Sequence, residues 1–203
     1  SRSLRASPGR AFRVPTFTER FYSDPANLAR SDVGPETAWA REGGADVILP
    51  NGWTVQGTVF GRADRDVIDW LRPTVADRWR TYNVRDVDTR GVDLAVRKSL
   101  PRGMFAQAQY SYVDVNAAAV NQLSKYLLDY APHSLAAALS ASLPAGLRVA
   151  PRIEYRRRTR PTGTSEYVLL DVRVARRIGS IADVFIDGTN LLNRSYQEIL
   201  GVA

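Results

Sequence analysis

Apolar and polar side chains alternate along most of the chain. In the segment that starts at Trp53, the odd positions carry Trp, Val, Gly, Val and Gly, and the even positions carry Thr, Gln, Thr, Phe and Arg. The same alternation returns in the segments that begin at Val92, Leu147, Val168 and Ala182. Because successive side chains of a β-strand point to opposite faces, this period of two predicts strands with one apolar face.

The alternation predicts nine strands. They cover residues 1–7, 38–49, 53–64, 89–100, 104–115, 134–143, 147–156, 167–177 and 181–191. Most of these are about nine to twelve residues long, whereas an ordinary globular strand has about five or six. Strands of this length are typical of tilted strands that cross a bilayer.

The predicted connections alternate in length. Short turns contain Pro50-Asn51-Gly52, Pro101-Arg102-Gly103, Pro144-Ala145-Gly146 and Gly179-Ser180, as tight hairpins require. Long irregular connections cover residues 8–36, 65–80, 116–130, 157–165 and 193 onward. This order predicts an up-and-down antiparallel meander. In outer-membrane barrels the short turns are periplasmic and the long loops are extracellular.

The connection over residues 116–130 differs from the other long ones. Its apolar residues Ala117–Val120, Leu123, Tyr126, Leu127 and Tyr130 recur at helical spacing. A proline follows at position 132, where a helix would end. We therefore expect a partly helical extracellular loop here.

The composition of the apolar face distinguishes a membrane barrel from a soluble sandwich, which would show the same alternation. That face is thin and built from Val, Ala, Gly, Leu and Ile, and aromatic residues lie near the strand ends: Trp39, Trp53, Tyr110, Tyr112, Tyr155 and Tyr167. Such aromatics form the interfacial girdles of membrane barrels. The predicted fold is therefore all-β, an antiparallel up-and-down transmembrane β-barrel segment.

The counts of charged residues, cysteine and histidine limit the kinds of catalytic and metal sites that the chain can form. The chain has 28 Lys+Arg, 21 Asp+Glu, no Cys and one His, His133. This excludes thiolate catalysis, disulfides and Cys-ligated metals, and leaves no partner set for a catalytic triad. The acidic pairs Asp64/Asp66 and Asp86/Asp88 suit acid–base work or Ca²⁺, but solvated loop charges are the favoured interpretation. No metal site or cofactor is predicted.

Arginine is spread along the whole chain near Asp and Glu, so nucleic acid is not expected as a partner despite the net charge of +7. The dense cluster is Arg156, Arg157, Arg158 and Arg160. Two interpretations remain open for it. It can bind lipopolysaccharide phosphates or an anionic cargo, or it can be a solvated loop.

Several short motifs occur in a fixed order. Residues 11–19 read AFRVPTFTE, 34–37 read GPET and 42–44 read EGG, with Asp24-Pro25 between them. Then come DVID at 66–69, YN at 82–83, RGVD at 90–93, YSY at 110–112 and NLLN at 190–193. In this order they resemble the late barrel of TonB-dependent outer-membrane receptors, most of all the cobalamin and ferric-siderophore receptors. Arg20, Asp93 and Asn193 are mild departures from the pattern of that family.

The resemblance implies a partial receptor barrel over residues 1–203, with nine of 22 strands and with the plug domain and the last strand outside the chain. It also implies the outer membrane of a Gram-negative bacterium. Extracellular loops would capture a ferric siderophore, cobalamin or similar metal chelate or corrinoid, and the TonB–ExbB–ExbD complex would act through the plug. Such a receptor is not an enzyme. The alternatives are a passive porin, an outer-membrane hydrolase and a soluble β-sheet binding module.

The predicted functional residues fall into two groups. Candidate cargo contacts on the loops and upper lumen are Tyr22, Trp70, Tyr126 and Arg158. Residues given a structural role are Phe12, Arg13, Pro15, Glu36, Gly91 and Asn190. Arg13 and Glu36 are expected to pair across the long first loop, which the prolines stiffen. A glycine in a strand suits a bend or a close backbone approach, and an Asn at a strand end bonds nearby backbone.

Overall fold

A computed structural model describes residues 1–84, 86–117, 122–126, 130–160 and 163–196, without the side chain of residue 160. It contains one short helix, α1 (Phe17–Phe21), and thirteen strands within these residues. The strands are β1 (Arg2–Arg13), β2 (Asn27–Leu28), β3 (Glu36–Leu49), β4 (Trp53–Arg65), β5 (Val67–Arg72), β6 (Trp79–Val84), β7 (Val87–Ser99), β8 (Phe105–Ala117), β9 (Leu123–Ser124), β10 (Tyr130–Ser142), β11 (Leu147–Arg160), β12 (Gly163–Ile178) and β13 (Ala182–Gly188).

Nine of these strands form the main sheet, in the order β1-β3-β4-β7-β8-β10-β11-β12-β13. Each strand pairs antiparallel with the next. Strands adjacent in this order are joined either by a short turn or by a long excursion. The predicted nine-stranded antiparallel meander is therefore confirmed.

Three of the short turns, which join β3 to β4, β7 to β8 and β10 to β11, share one backbone design. A proline is followed by a residue in the left-handed region and then by a glycine with positive φ. The φ values are 63° at Asn51, 59° at Arg102 and 62° at Ala145, and the glycines that follow lie between 71° and 79°. Glycine adopts this conformation without steric cost. These turns agree with the predicted hairpins.

The two faces of the main sheet differ as the alternation predicts. One row of cross-strand neighbours consists of Val47, Val55, Val96, Ala108, Ala137, Ile153 and Leu170, and we call this side the apolar face. The row on the other side consists of Arg5, Gly44, Thr58, Asp93, Ser111, Ser134 and Arg156, and we call this side the polar face. Large apolar side chains on the apolar face are open to the surroundings, among them Val59 (59 %), Leu94 (47 %) and Ile153 (46 %).

The girdle prediction is correct in part. Register places Trp39, Tyr110 and Tyr112 on the apolar face, but only Trp39 lies near a strand end, because Tyr110 and Tyr112 are in the middle of β8. Tyr167 lies on the polar face instead, because it pairs with Arg156. It is only 6 % exposed and stacks on Tyr196 with ring centroids 4.9 Å apart.

A second sheet lies in segments that were predicted to be irregular. We call it the loop sheet: β2, β6, β5 and β9 in that order, with β2 and β6 parallel and the other pairs antiparallel. Its strands come from three separate connections, those between β1 and β3, β4 and β7, and β8 and β10. The prediction of an irregular loop over residues 65–80 is therefore wrong.

Other predicted loop limits also change. The first strand continues to Arg13, so the loop predicted over 8–36 starts later. In the loop predicted to be partly helical, residues 118–121 and 127–129 lie outside the described residues, and Leu123–Ser124 form strand β9 rather than helix. Strands β11 and β12 extend through most of the loop predicted over 157–165. The ninth strand is shorter than predicted, Ala182–Gly188.

Burial is concentrated at the loop sheet. The buried apolar side chains there include Val33, Ile68, Trp70, Leu71 and Val84. The described part of the main sheet is thus a single layer, with its packed core at one end. In that described part no helix is long and apolar enough to cross a membrane.

Candidate functional site

A charged clamp connects the end of β1 with the loops. Arg13 lies opposite Glu36 in the register of β1 and β3, and its Nε is 2.6 Å from Glu36 Oε1. Its Nη1 is 2.8 Å from Glu19 Oε2 in α1. The second oxygen of Glu36 accepts a hydrogen bond of 2.9 Å from the Ile68 amide, at the start of the loop sheet. The predicted Arg13–Glu36 pair is confirmed, although the two residues are strand ends rather than loop residues.

Helix α1 begins at a capping box that supports this clamp. Thr16, after Pro15, accepts from the Glu19 amide through Oγ1 at 3.2 Å, and Glu19 Oε2 accepts from the Thr16 amide at 2.7 Å. Burial alone would raise the pKa of Glu19. The hydrogen bonds from Arg13 and Thr16 outweigh that effect and hold the pKa of Glu19 below its usual value.

Buried polar groups fasten the loop sheet across its strands. Asp69 is 1 % exposed; its Oδ1 accepts from the Trp70 amide at 2.7 Å and its Oδ2 accepts from the Ser124 hydroxyl in β9. Thr81 is fully buried; its hydroxyl donates to the Glu19 carbonyl at 2.8 Å and accepts from the Arg30 amide at 2.7 Å. These bonds join segments that are far apart in the chain, so the three connections form one packed unit.

A lysine lies among aromatic rings at the centre of this unit. Lys125 Nζ is 5.7 Å from the Trp70 ring centroid, 5.9 Å from Trp79 and 5.6 Å from Tyr126. It is also 3.4 Å from Asn27 Oδ1 in β2. Cation–π attraction of this kind is strongest for tryptophan. Lys125 therefore contacts residues of the other two connections and joins all three into one unit.

The margin of the loop sheet at β2 is organised around Asp24. Tyr22 Oη donates to Asp24 Oδ2 at 2.8 Å, and the Asn27 side chain and backbone donate to the same carboxylate. These bonds, first that from Tyr22, lower the pKa of Asp24 to about 2. The same contact raises the pKa of Tyr22. Arg78 Nη2 fastens this turn by bonding the Asn27 carbonyl at 2.6 Å.

The structure brings together only some of the candidate cargo contacts. Trp70 and Tyr126 flank Lys125; Trp70 is 7 % exposed and Tyr126 is 59 % exposed. Tyr22, 45 % exposed, lies at the β2 margin of the same loop sheet. Arg158 lies on β11 of the main sheet, opposite Ser165. Sequence reasoning did not single out Lys125, although it is one of only two lysines in an arginine-rich chain.

An open pocket of about 410 Å³ lies on the polar face of the main sheet. Arg5 reaches across Gly44, bonding Asp46 at 2.6 Å and the Thr58 hydroxyl two strands away. A Cβ on Gly44 would lie 2.8 Å from that guanidinium. The other side of the pocket is lined by Arg152 and Arg156, which both pair with Glu154. The wall of this pocket is therefore polar and charged.

Two residues with predicted structural roles behave as expected. A Cβ on Gly91 would lie 2.4 Å from both the Tyr112 carbonyl oxygen and Phe60 Cζ, so this strand needs glycine for a close backbone approach. Asn190 adopts φ 48°, and its side chain exchanges two 2.9 Å hydrogen bonds with the backbone of Arg194. Phe12, on the apolar face opposite Thr37, is 77 % exposed.

The remaining candidate groups form ion pairs and local hydrogen bonds. Arg65 pairs with Asp86 at 3.3 Å and with Asp88 at 3.4 Å, and Arg62 pairs with Asp64 at 2.6 Å. His133 Nδ1 is 2.8 Å from Tyr110 Oη. Across the residues that the structure describes, no group of three or more His, Asp or Glu side chains could hold a metal ion.

Comparison with known proteins identifies the class. Residues 1–191 match the family model "TonB dependent receptor-like, beta-barrel", and the chain belongs to this family. The copper transporter OprC superposes with a TM-score of 0.75 at 14 % identity, over 97 % of this chain and 32 % of that one. The ferric enterobactin receptor PfeA of Pseudomonas aeruginosa superposes with a TM-score of 0.70 at 15 % identity, over 95 % and 33 %.

A third similar structure is the FrpB iron transporter of Neisseria meningitidis, with a TM-score of 0.69 at 14 % identity over 95 % of this chain and 33 % of that one. The chain thus spans about a third of the length of the solved structures that it resembles. At this level of identity the similarity shows the fold. No curated protein sequence matches the chain.

Proposed function

We propose that this chain forms part of the wall and extracellular loop surface of an outer-membrane receptor for TonB-coupled uptake of a metal chelate or corrinoid. The observation that carries the proposal is a single-layer sheet whose apolar face is open and whose polar face is charged. A soluble sheet would cover the apolar side with a second layer, whereas a barrel in a membrane exposes it to lipid and surrounds a wet lumen.

The length of the apolar band supports this orientation. Trp53 marks the short-turn end and Ala63, opposite Trp39, marks the loop end. Ten residue steps of β4 cover about 33 Å along the strand, or about 25 Å of height at a tilt of about 40°. That height equals the apolar band of outer-membrane barrels. The loop sheet then lies on the extracellular side.

The proposed cargo surface is the outer side of the loop sheet. The exposed rings of Tyr22 and Tyr126 suit a chelate with flat groups, while Trp70 lies beneath and positions Lys125. Arg158 lies apart from them, on β11 of the main sheet, and we propose it as an additional contact for an anionic chelate. No bond is made or broken in such a receptor, so we propose transport rather than catalysis. The TonB–ExbB–ExbD complex would act through a plug domain, and the final strand and plug would belong to the same protein.

The test is cargo binding by the intact receptor in detergent. A panel of ferric siderophores, copper complexes and cobalamin is titrated by intrinsic tryptophan fluorescence, with sub-micromolar binding expected for one member. Tyr126→Ala is expected to weaken that binding by about tenfold, as loss of an aromatic anchor does. Val75→Ala, which removes an exposed loop side chain outside the aromatic cluster, is the control and should leave affinity unchanged.

Absence of binding across the whole panel would contradict the receptor proposal. Steady single-channel conductance of the intact protein, without TonB and without cargo, would favour a passive porin instead. Turnover of a phospholipid or peptide substrate would favour an outer-membrane hydrolase.

A further inference from the structure

The apolar face carries an open basic site at its loop end. Arg41 in β3, Gly61 in β4 and Arg90 in β7 are direct cross-strand neighbours in one row. Adjacent strands lie about 4.8 Å apart, so the two arginine Cα atoms are about 10 Å apart with the glycine between them. A Cβ added at Gly61 would meet nothing within 4 Å. The two long side chains thus flank an empty space.

The surroundings of this space are basic and aromatic. Trp39 is 52 % exposed in the next row towards the loops, and the Arg10 guanidinium lies 5.6 Å from its ring centroid. The nearest acidic side chains on this face already form ion pairs with arginines. Asp114 bonds Arg90 at 2.9 Å, and Asp88 pairs with Arg65 at 3.4 Å.

The positive charge exceeds what these acids neutralise. Within the described residues no ion pair involves Arg10 or Arg41, and the side chain of Arg90 is 80 % exposed despite its bond to Asp114. Guanidinium groups bind phosphate through paired hydrogen bonds. Arg41 and Arg90 flank the Gly61 gap, and Arg10 lies on β1 in the next row towards the loops, so these guanidinium groups make an anion site rather than a scatter of solvated charges.

On the polar face, the space above a comparable glycine is filled by an arginine side chain that finds a hydrogen-bond partner. There Arg5 extends over Gly44 and bonds the Thr58 hydroxyl on the second strand away. Gly61 is the matching gap on the apolar face, and no side chain fills it. The gap continues directly into the apolar row Gly43–Val59–Val92 on the short-turn side. A molecule that combines a phosphate with acyl chains fits both halves of this surface.

We propose that Arg41, Arg90 and Arg10 bind a phosphomonoester on a membrane glycolipid, with the phosphate over Gly61 and the acyl chains along Val59 and Val92. The proposal rests on the proposed function in one respect, that the apolar face meets membrane lipid. A phosphomonoester carries more negative charge than the phosphodiester of a phospholipid, so it matches three guanidinium groups better.

The experiment uses the intact receptor in detergent and native mass spectrometry with titrated lipid. Bisphosphorylated lipid A is the probe and phosphatidylglycerol is the diester comparison. Arg41→Gln with Arg90→Gln should weaken lipid A binding at least about tenfold, a ratio expected from losing charge-assisted bonds. Gly61→Leu fills the gap without changing charge and should weaken it similarly.

Arg176→Gln is the matched control. This exposed arginine lies on the same face opposite Leu147, at the short-turn end, and its loss should leave lipid A binding unchanged. Equal lipid A affinity in the wild type and both site variants overturns the proposal. So does equal affinity for phosphatidylglycerol and lipid A. Heat-modifiable mobility on a gel verifies that each variant is folded.

Failure of the proposed function gives a different result. A protein that is monodisperse without detergent and does not insert into bilayers contradicts the receptor wall itself. A protein that inserts and binds cargo, but retains lipid A equally in all variants, contradicts only this lipid site.

Discussion

Gly91 offers the sharpest test of the packing in the main sheet. It lies opposite Val113 on one neighbouring strand and opposite Phe60 on the other. An added Cβ would stand 2.4 Å from the Tyr112 carbonyl oxygen and 2.4 Å from Phe60 Cζ. The ring can turn away, but the carbonyl belongs to the backbone of a paired strand. Gly91→Ala therefore has to displace β8 or break ladder hydrogen bonds.

The expected loss is about 1 to 3 kcal/mol of unfolding free energy, the range for overpacking a closely packed site. Urea unfolding of the intact receptor in detergent, followed by tryptophan fluorescence, measures it. The matched control is Gly61→Ala on the adjacent strand, where the new methyl group meets open space and the change should stay within about 0.5 kcal/mol. Adding Phe60→Ala to Gly91→Ala should restore only part of the loss. Equal stability of Gly91→Ala and the wild type would refute this reasoning.

Three further outcomes concern the loops. Glu36→Ala removes the carboxylate that Arg13 binds, and should cost about 1 to 3 kcal/mol in the stability of the loop segments, seen as faster limited proteolysis of the detergent-solubilised receptor. Asp69→Ala leaves the Ser124 hydroxyl buried without this acceptor, and should release the loop sheet to hydrogen exchange while the main sheet stays protected. The hydrogen bonds to the Asp24 carboxylate should stabilise its turn fully above pH 4, because the carboxyl of the unfolded chain has a pKa of about 3.9. This stabilisation should be lost as the pH falls towards about 2, the pKa of Asp24 in the folded protein. Hydrogen exchange at pH 5 and pH 2 measures this change; equal protection at both would contradict it.

The sequence predicted the main sheet well for a physical reason. A single-layer wall between lipid and water needs one apolar and one polar side, so period two persists through every long strand. The Pro-X-Gly turns are equally legible, because the left-handed residue at Asn51, Arg102 and Ala145 is followed each time by a glycine. The ends of the strands were harder to predict from the sequence. Beyond the apolar band both faces of a strand can be polar, so the alternation stops before the hydrogen-bonded ladder does.

The loop sheet escaped prediction because it is packed on more than one side. Strand β5 is buried at its four central residues, Ile68 to Leu71, so it shows no alternation at all. Its partner β9 has only two residues and belongs to a different connection. Asp69 was recognised within a motif, but which hydroxyl it would bind depends on a fold that brings position 124 to it. Tertiary contacts of this kind leave no periodic trace in a sequence.

The arrangement of buried polar atoms implies that the three connections act as one surface. Each supplies a group that another needs: Asn27 accepts from Lys125, Asp69 accepts from Ser124, and the Trp70 carbonyl accepts from the Lys125 amide at 3.0 Å. If one connection moved alone, buried donors and acceptors in the others would lose their partners, at about 1 to 3 kcal/mol each. The loops should therefore open together or remain closed together. A cargo surface built on Tyr22 and Tyr126 would then be rigid before cargo arrives, since both rings are attached to the same fastened sheet.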